Sequence, residues 1–385
     1  MIVRPGKFEQ LRAVLDNNPV AVLLGPRQCG KTTLASLLAA ESKAVIFDLE
    51  RAADRAKLQN AEMILSALEG LVVIDEVQRM PELFTIIRPL VDRPDNATRF
   101  LLLGSASPSL VKGVSESLAG RAGFVDLGGL ELPDVGIGNK ERLWLQGGFP
   151  RSYLAKNEAL SFEWRQNFIR TFLERDMPQL GIRIPAETLL RFWTMVAHYH
   201  GQIWNGAELA RSLGVSEKTV RSYLDLLAGA FVIRQLQPWF ENLAKRQYKA
   251  PKVYIRDSGL LHALLSIEGG LELAGHPKYG ASWEGFALEQ LLSVVGTRQT
   301  FYWGTHSGAE LDLILFLGGK RYGVEFKCSG APVMTKSLHI ALDDLHLERA
   351  WIVYPGNESY PVHEKARVCP LLDLMDQFSK RKLTV

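Results

Sequence analysis

The sequence predicts an α/β protein: an open, mostly parallel sheet, then helical segments, then a smaller region of helix and alternating strands. Three observations carry this expectation. Over the first 135 residues short apolar runs alternate with helical patterns, the βαβ rhythm that builds a parallel sheet. A glycine-rich loop joins the first of those runs directly to a helix. From residue 283 a helical pattern leads into alternating strands. At about 150 residues per domain the 385 residues make two or three domains. Hydrophobic residues at 47% and charged residues at 23% exclude a disordered or fibrous chain.

The elements follow in order. Strands are expected at Val20–Leu24, Ala44–Leu49, Leu71–Ile74, Phe100–Leu103 and Gly123–Leu127, each a short apolar run bounded by Gly, Asp or Ser. Helices are expected at Lys31–Ala40 and Glu82–Val91 between them. Ligands of such sheets sit at the carboxyl ends of the strands. The core is thus assigned to residues 1–135, and a polar helical segment, a helical lid, to 136–184. A second helical block with two short strands (Phe231–Leu236 and Lys252–Ile255) covers 185–256. A Gly- and Pro-rich linker is expected over 257–281, clearest at Gly269–Ala281, before a last domain over 282–385.

No apolar run approaches the roughly 18 residues that cross a bilayer, and Met1–Lys7 lacks a signal-peptide core, so no membrane partner and a cytoplasmic location are expected. Cys29, Cys328 and Cys369 lie far apart without zinc spacing, which suits a reducing cytosol. With a net charge of +3, any basic surface must be local.

Gly25-Pro26-Arg27-Gln28-Cys29-Gly30-Lys31-Thr32 fits G-x-x-x-x-G-K-[ST] directly between a strand and a helix, the context a P-loop requires. Its backbone N–H groups curl around a phosphate, the helix start at Lys31, Thr32 and Thr33 adds its positive dipole end, Lys31 reaches the β and γ phosphates, and Thr32 ligates Mg²⁺. Leu71-Val-Val-Ile-Asp75-Glu76 supplies the complementary acids, Asp75 for the Mg²⁺ shell and Glu76 to polarise the attacking water. Together they point to an ATPase using ATP and Mg²⁺. A second buried strand ends in Ser105 and Ser107, either of which suits positioning of the lytic water. Arg121, in Leu118-Ala-Gly-Arg121, has two readings: a surface ion pair, or an arginine that completes a neighbouring subunit's site.

Gly25–Thr32, Val73-Ile-Asp75-Glu76-Val-Gln78-Arg79, Leu103-Gly-Ser105 and Ser117-Leu-Ala-Gly-Arg121 together resemble the AAA_14/DUF4143 family, AAA-type ATPases of bacteria and archaea with a C-terminal domain of unknown function. The resemblance covers nearly the whole chain. It implies a five-stranded AAA+ core with Walker A after the first strand, Walker B on the third and sensor 1 on the fourth. Where the family usually has a threonine before the sensor glycine, this chain has Leu103, which leaves Ser105 or Ser107 to supply the hydroxyl.

Asn205 to Leu224 reads as a helix-turn-helix, with Leu209, Ala210 and Leu213 inward, Gly214 at the turn and Ser216 capping the second helix. Lys218, Thr219, Arg221 and Ser222 then face outward, and the two strands that follow suit a wing whose tip carries Lys245, Arg246 and Lys249 among Trp239, Phe240 and Tyr248. A winged helix of this kind meets nucleic acid or docks protein, and the aromatic residues either join that surface or anchor the wing.

Glu284, the stretch Gly308-Ala-Glu310-Leu-Asp312, and Glu325-x-Lys327 resemble the core of PD-(D/E)XK nucleases, a restriction-endonuclease-like fold that the family commonly shows. The resemblance implies that Glu284, Asp312 and Glu325 hold Mg²⁺ and that Lys327 assists the attacking water. The alternative is a folded remnant serving DNA docking or assembly. The whole reading is an AAA+ ATPase, a homo-oligomer forming a ring or partial ring, that binds or remodels DNA, branched or broken DNA included. Its rival is a nucleotide-dependent switch gating a protein partner, a defence or toxin component.

Overall fold

The computed structural model of the protein describes residues 2–94, 96–105, 108–179, 184–241 and 246–380. Ser107 and Lys245, expected near the γ-phosphate and at the wing tip, lie outside the described residues. The chain divides into two compact units.

The first unit comprises Met1–Val135 together with Gly148–Arg151 and Gly229–Val232. Its strands are β1 (Val20–Gly25), β2 (Ala44–Asp48), β3 (Gly70–Asp75), β4 (Thr98–Ser105) and β5 (Ala122–Asp126). All five expected strands are present, and they form a parallel sheet in the order β2-β3-β4-β1-β5. The apolar runs explain this: β1 is buried throughout, and Leu71–Ile74 and Phe100–Leu103 are buried on both faces. One side packs Val22, Leu24, Val72, Ile74, Phe100 and Leu102 against Leu83, Phe84 and Ile87 of the helix Leu83–Val91. Because β4 lies between β1 and β3, its carboxyl end is flanked by theirs. The register pairs Gly25 with Ser105 and Asp48 with Asp75. The later segments are integral to the unit: the Leu130 N–H donates to the Gly148 carbonyl at 2.6 Å, and Phe231 packs on the core above.

The second unit begins with helices. Lys140–Gln146, Glu158–Thr171 and Ser258–Leu264 are tied together by Arg165, a fully buried arginine on the second of them. Its guanidinium donates to the carbonyls of Ser161 (3.1 Å), Leu145 (3.3 Å) and Gly259 (2.9 Å). Burial lowers its pKa to about 10, partly countered by Asp257 and Glu158, so it stays charged at neutral pH.

The segment 257–281, expected as a linker, is instead structured: all seven residues of Ser258–Leu264 are buried, Gly270–Gly275 is helical, and Tyr279–Val295 follows. Its glycines serve close packing. A Cβ on Gly259 would lie 2.2 Å from the Gln146 carbonyl oxygen, and one on Gly269 would lie 2.7 Å from the Glu158 carboxylate.

Two histidines are sealed into this unit. His262 Nδ1 contacts the Leu145 carbonyl at 2.9 Å; a carbonyl only accepts, so that nitrogen carries the proton and Nε2 accepts from Ser282 Oγ at 2.7 Å. His200 Nδ1 accepts from the Ile255 N–H at 2.9 Å. Burial lowers both pKa values from 6.5 to about 3. Below about pH 6.5 the unfolded chain takes up protons that the folded chain refuses, so their contribution to stability is lost as pH falls. The stability gap between the protein and its His262→Gln variant is therefore expected to narrow by about 2 kcal/mol from pH 7.5 to pH 5. Denaturant titrations at the two pH values check this, and an unchanged gap contradicts it.

The unit then contains Gly206–Leu213 and Glu217–Gly229, joined at Gly214 in the left-handed region (φ +70°). Strands β6 (Gln202–Ile203), β7 (Ile233–Leu236) and β8 (Lys252–Ile255) form an antiparallel sheet in the order β6-β8-β7. The last sheet contains β9 (Thr300–Gly304), β10 (Glu310–Leu317), β11 (Lys320–Phe326), β12 (Arg349–Tyr354), β13 (Tyr360–His363) and β14 (Ala366–Pro370), in the order β13-β14-β12-β11-β10-β9. It is mixed, with β11, β12 and β14 parallel.

Candidate functional site

The carboxyl ends of β1, β3 and β4 gather the expected nucleotide residues in the first unit. Gly25 ends β1 where a Cβ would lie 2.1 Å from the Leu127 carbonyl oxygen, so the loop can leave the strand only with glycine there. Pro26 and Cys29 are buried, Arg27 is half-buried, and Gln28 and Gly30 take left-handed backbone (φ +63° and +102°), which curls the loop before the helix Lys31–Ala40. Lys31 is 6% exposed, and its ammonium donates to the carbonyls of Gly25 (3.0 Å) and Pro26 (2.8 Å). A cation is thus held inside the loop that a phosphate would enter.

Thr32 and Thr33 are exposed at the helix start, and Thr32 Oγ1 donates to Asp75 Oδ2 at 2.7 Å. The hydroxyl and carboxylate expected to share Mg²⁺ are therefore adjacent, and this oxygen pair suits a hard cation. Asp75 Oδ1 accepts from the Glu76 N–H at 2.9 Å. Glu76 is a non-glycine residue at φ +55°, a conformation costing about 1–3 kcal/mol that concentrates at functional positions. Burial raises its pKa, with Lys31 and Arg27 opposing and Asp75 adding to the rise. Its carboxylate accepts from the Gln78 side-chain amide. Ser105 Oγ, at the end of β4, is buried and, like Gln78 Oε1, has no hydrogen-bond partner among the described residues. A hydroxyl left open at this end of the sheet fits the sensor position.

Arg121 forms a bidentate pair with Asp92, at 2.6 and 2.7 Å, and also donates to the Ala119 carbonyl. The geometry present is thus the ion pair, and a role toward a neighbouring subunit requires that pair to open. Sequence reading assigned no role to Glu50, whose carboxylate lies 3.1 Å from Arg79 and 3.9 Å from Arg27, nor to Gln78. The Glu50 contacts join separate loops, so no local spacing announces them, whereas Gln78 lies only two residues from the Glu76 it contacts.

In the second unit Ser216 Oγ accepts from the Thr219 N–H at 3.1 Å, and Lys218 and Arg221 are exposed, Arg221 paired with Asp225. Arg246, Tyr248 and Lys249 line a cleft of about 780 Å³ with Trp204, Phe240 and His306. Tyr248 lies against the His306 ring at 4.4 Å between centroids, and Phe240 is half exposed. Trp239 is not part of this surface: its ring packs on Phe301 and Phe316, and its backbone N–H donates to the Tyr302 carbonyl at 2.7 Å, anchoring the segment to β9.

The C-terminal carboxylates converge as expected, but around an unexpected residue. Lys252, at the head of β8 and 2% exposed, donates to Asp312 Oδ1 (3.0 Å) and Glu284 Oε1 (3.3 Å) and pairs with Glu310. Tyr254, two residues on and so on the same face of β8, donates to Glu284 Oε1 at 2.7 Å. Asp312 Oδ2 accepts from the Phe326 N–H at 3.0 Å. Lys327 pairs instead with Glu325, at 2.8 Å. Burial, reinforced by Asp312, raises the pKa of Glu284 and of Glu325. Burial alone would lower Lys252, but Glu284, Tyr254, Asp312 and Glu310 outweigh it and hold the ammonium well above its ordinary value. Among the described residues no three His, Cys, Asp or Glu side chains are arranged to hold a metal ion. The side chains expected to take Mg²⁺ here do not fit that ion as they stand.

Comparison with known proteins agrees with the P-loop geometry. Residues 17–135 match the family described as AAA domain, 138–270 the domain of unknown function DUF8612, and 279–374 the domain of unknown function DUF4143. The uncharacterized proteins Rv2008c of Mycobacterium tuberculosis and Mb2031c of Mycobacterium bovis are each 51% identical over 370 residues, 96% of this chain and 84% of theirs. The Walker-type ATPase PABY2304 of Pyrococcus abyssi superposes with a TM-score of 0.50 at 16% identity, covering 69% of this chain and 96% of that one, a likeness of fold. No helix among the described residues is long and apolar enough to cross a membrane. With a P-loop at the head of a five-stranded parallel sheet and matching domains on both sides of residue 138, the chain belongs to the family of AAA-type P-loop ATPases that carry a DUF4143 domain.

Proposed function

We propose that this chain is an ATP-hydrolysing AAA+ motor, active as a homo-oligomer, that binds or remodels DNA. The observation that carries the catalytic half is the convergence of Lys31, Thr32, Asp75, Glu76 and the unpartnered Ser105 hydroxyl at one end of the sheet. The backbone of Gly25–Thr32 cradles the phosphates, Lys31 exchanges its two loop carbonyls for phosphate oxygens, and Glu76 accepts a hydrogen bond from the attacking water. Thr32 and Asp75 hold Mg²⁺, which when bound neutralises charge on the phosphates. Arg121, released from Asp92, acts on a neighbouring subunit's phosphates.

Support for DNA as the partner comes from the second unit. Lys218 and Arg221 are exposed on the second helix of the helix-turn-helix, and the cleft that includes Arg246 and Lys249 places two basic side chains among Trp204, Phe240 and Tyr248. Cations beside aromatic side chains are the combination that single-stranded segments use, the cations meeting phosphates and the rings stacking on bases.

The test is steady-state ATP turnover with duplex, single-stranded and four-way-junction DNA, with binding measured over a salt series. Turnover is expected to rise with at least one DNA. The double substitution Arg246→Gln, Lys249→Gln is expected to flatten the slope of log affinity against log salt by about 1.5–2, two phosphate contacts' worth. Turnover indifferent to every DNA, with no binding at low salt, rejects the motor and leaves the nucleotide switch gating a protein partner.

A further inference from the structure

We infer that Lys252 is the resident cation of the Glu284–Glu310–Asp312 cluster, standing where a nuclease of this fold would hold a divalent ion, so that the C-terminal domain takes no metal, cuts no phosphodiester and uses the cluster as an ion-pair clamp on β8.

The geometry has three parts. First, the ammonium is positioned as a metal would be: it reaches carboxylates from the helix Tyr279–Val295 (Glu284) and from two positions on one face of β10 (Glu310 and Asp312), with the Lys252 side chain 2% exposed. Second, each of the four carboxylates already has at least one oxygen engaged by a protein donor. Asp312 Oδ2 takes the Phe326 N–H, Glu284 Oε1 also takes the Tyr254 hydroxyl, and Glu325 Oε1 takes Lys327 and the Thr335 hydroxyl. Glu325 Oε2 is buried and has no hydrogen-bond partner among the described residues, but a buried oxygen beside two ammonium groups does not make a site for an ion that takes six or more ligands. Third, the charges are incompatible with a second cation at that position. An ammonium and a divalent ion sharing three carboxylates within about 4 Å would repel strongly in a buried setting, so one excludes the other. Lys252 is fixed by its strand: β8 is buried along its whole length and hydrogen-bonded on both edges, to β6 and β7.

The inference does not depend on the ATPase reading, and its test does not use ATP. Mn²⁺ binding to the full chain is measured by electron paramagnetic resonance for the protein, Asp312→Asn, Lys252→Met and the double variant Lys252→Met, Asp312→Asn, each checked for folding by its near-ultraviolet circular dichroism. The protein and Asp312→Asn are expected to bind Mn²⁺ equally, any common signal coming from elsewhere. Lys252→Met is expected to gain one Mn²⁺ bound at least tenfold more tightly, and the double variant to lose it. A Mn²⁺ ion on the unsubstituted protein that disappears with Asp312→Asn overturns the inference, and so does Mn²⁺-dependent nicking of supercoiled DNA that requires Asp312. A folded Lys252→Met chain that gains no Mn²⁺ overturns it as well. Should Lys252→Met fail to fold, the comparison of the protein with Asp312→Asn decides alone.

Discussion

Substitution of Lys31 by alanine is expected to lower steady-state ATP turnover by two to three orders of magnitude, the scale on which removal of one charge-stabilising donor from a buried site acts. The expectation follows from where the lysine sits. Its ammonium is 6% exposed and bonded to two carbonyls of the loop itself, so the loop already holds a positive charge at the place where negative charge accumulates during phosphoryl transfer. Alanine removes that charge and leaves the Gly25 and Pro26 carbonyls facing the phosphates. Weakened nucleotide affinity should accompany the loss of turnover. Glu76→Gln, by contrast, is expected to bind nucleotide normally and fail only in hydrolysis, since its carboxylate lies beyond the loop and faces Gln78. Phosphate release and titration of a fluorescent nucleotide separate the two effects. Turnover by Lys31→Ala at the unsubstituted rate would end the assignment of this loop as the phosphate site.

Replacement of Arg165 by leucine is expected to destabilise the second unit by about 3–5 kcal/mol, the range found when a buried charge network loses one partner. The guanidinium satisfies three backbone carbonyls from three helices at once and lies near the carboxylates of Asp257 and Glu158. Leucine fills much of the volume but returns none of those hydrogen bonds; the Leu145 carbonyl keeps the His262 N–H, and a buried hydrogen bond lost without replacement costs about 1–3 kcal/mol. Urea titration followed by tryptophan fluorescence, which reports on Trp144 and Trp193 within the same unit, reads the change directly. A shift under 1 kcal/mol would mean that water or another donor replaces the arginine.

The phosphate site was legible because its chemistry is local: Thr32 lies seven positions after Gly25, and the sheet only has to deliver Asp75 and Ser105 to the same end. The five strands were legible for a related reason, since burial on both faces writes itself as uninterrupted apolar runs. Lys252 was not. It lies fifty-eight positions before Glu310 and sixty before Asp312, and a lysine ahead of Val253-Tyr-Ile255 reads as the polar start of a strand. The only trace was its period-two partnership with Tyr254. Segment 257–281 misled in the opposite direction, because glycine's sequence signature is the same whether it loosens a chain or lets two helices touch; Gly259 against Gln146 is the second case. Trp239 and Phe240 are adjacent in sequence yet face a core and a cleft, a division that only the pairing of that segment with β9 makes visible.

The first unit is assembled from three stretches of chain, with Gly148–Arg151 and Gly229–Val232 returning to it after Val135. It is therefore not a cassette. The match to the AAA domain ends at residue 135, and a fragment cut there would lose the carbonyl that receives the Leu130 N–H and the side chain of Phe231 from its core. Such a fragment would expose an apolar scar, and recombination could not transplant the ATPase onto another partner at that junction without carrying those two returning segments along.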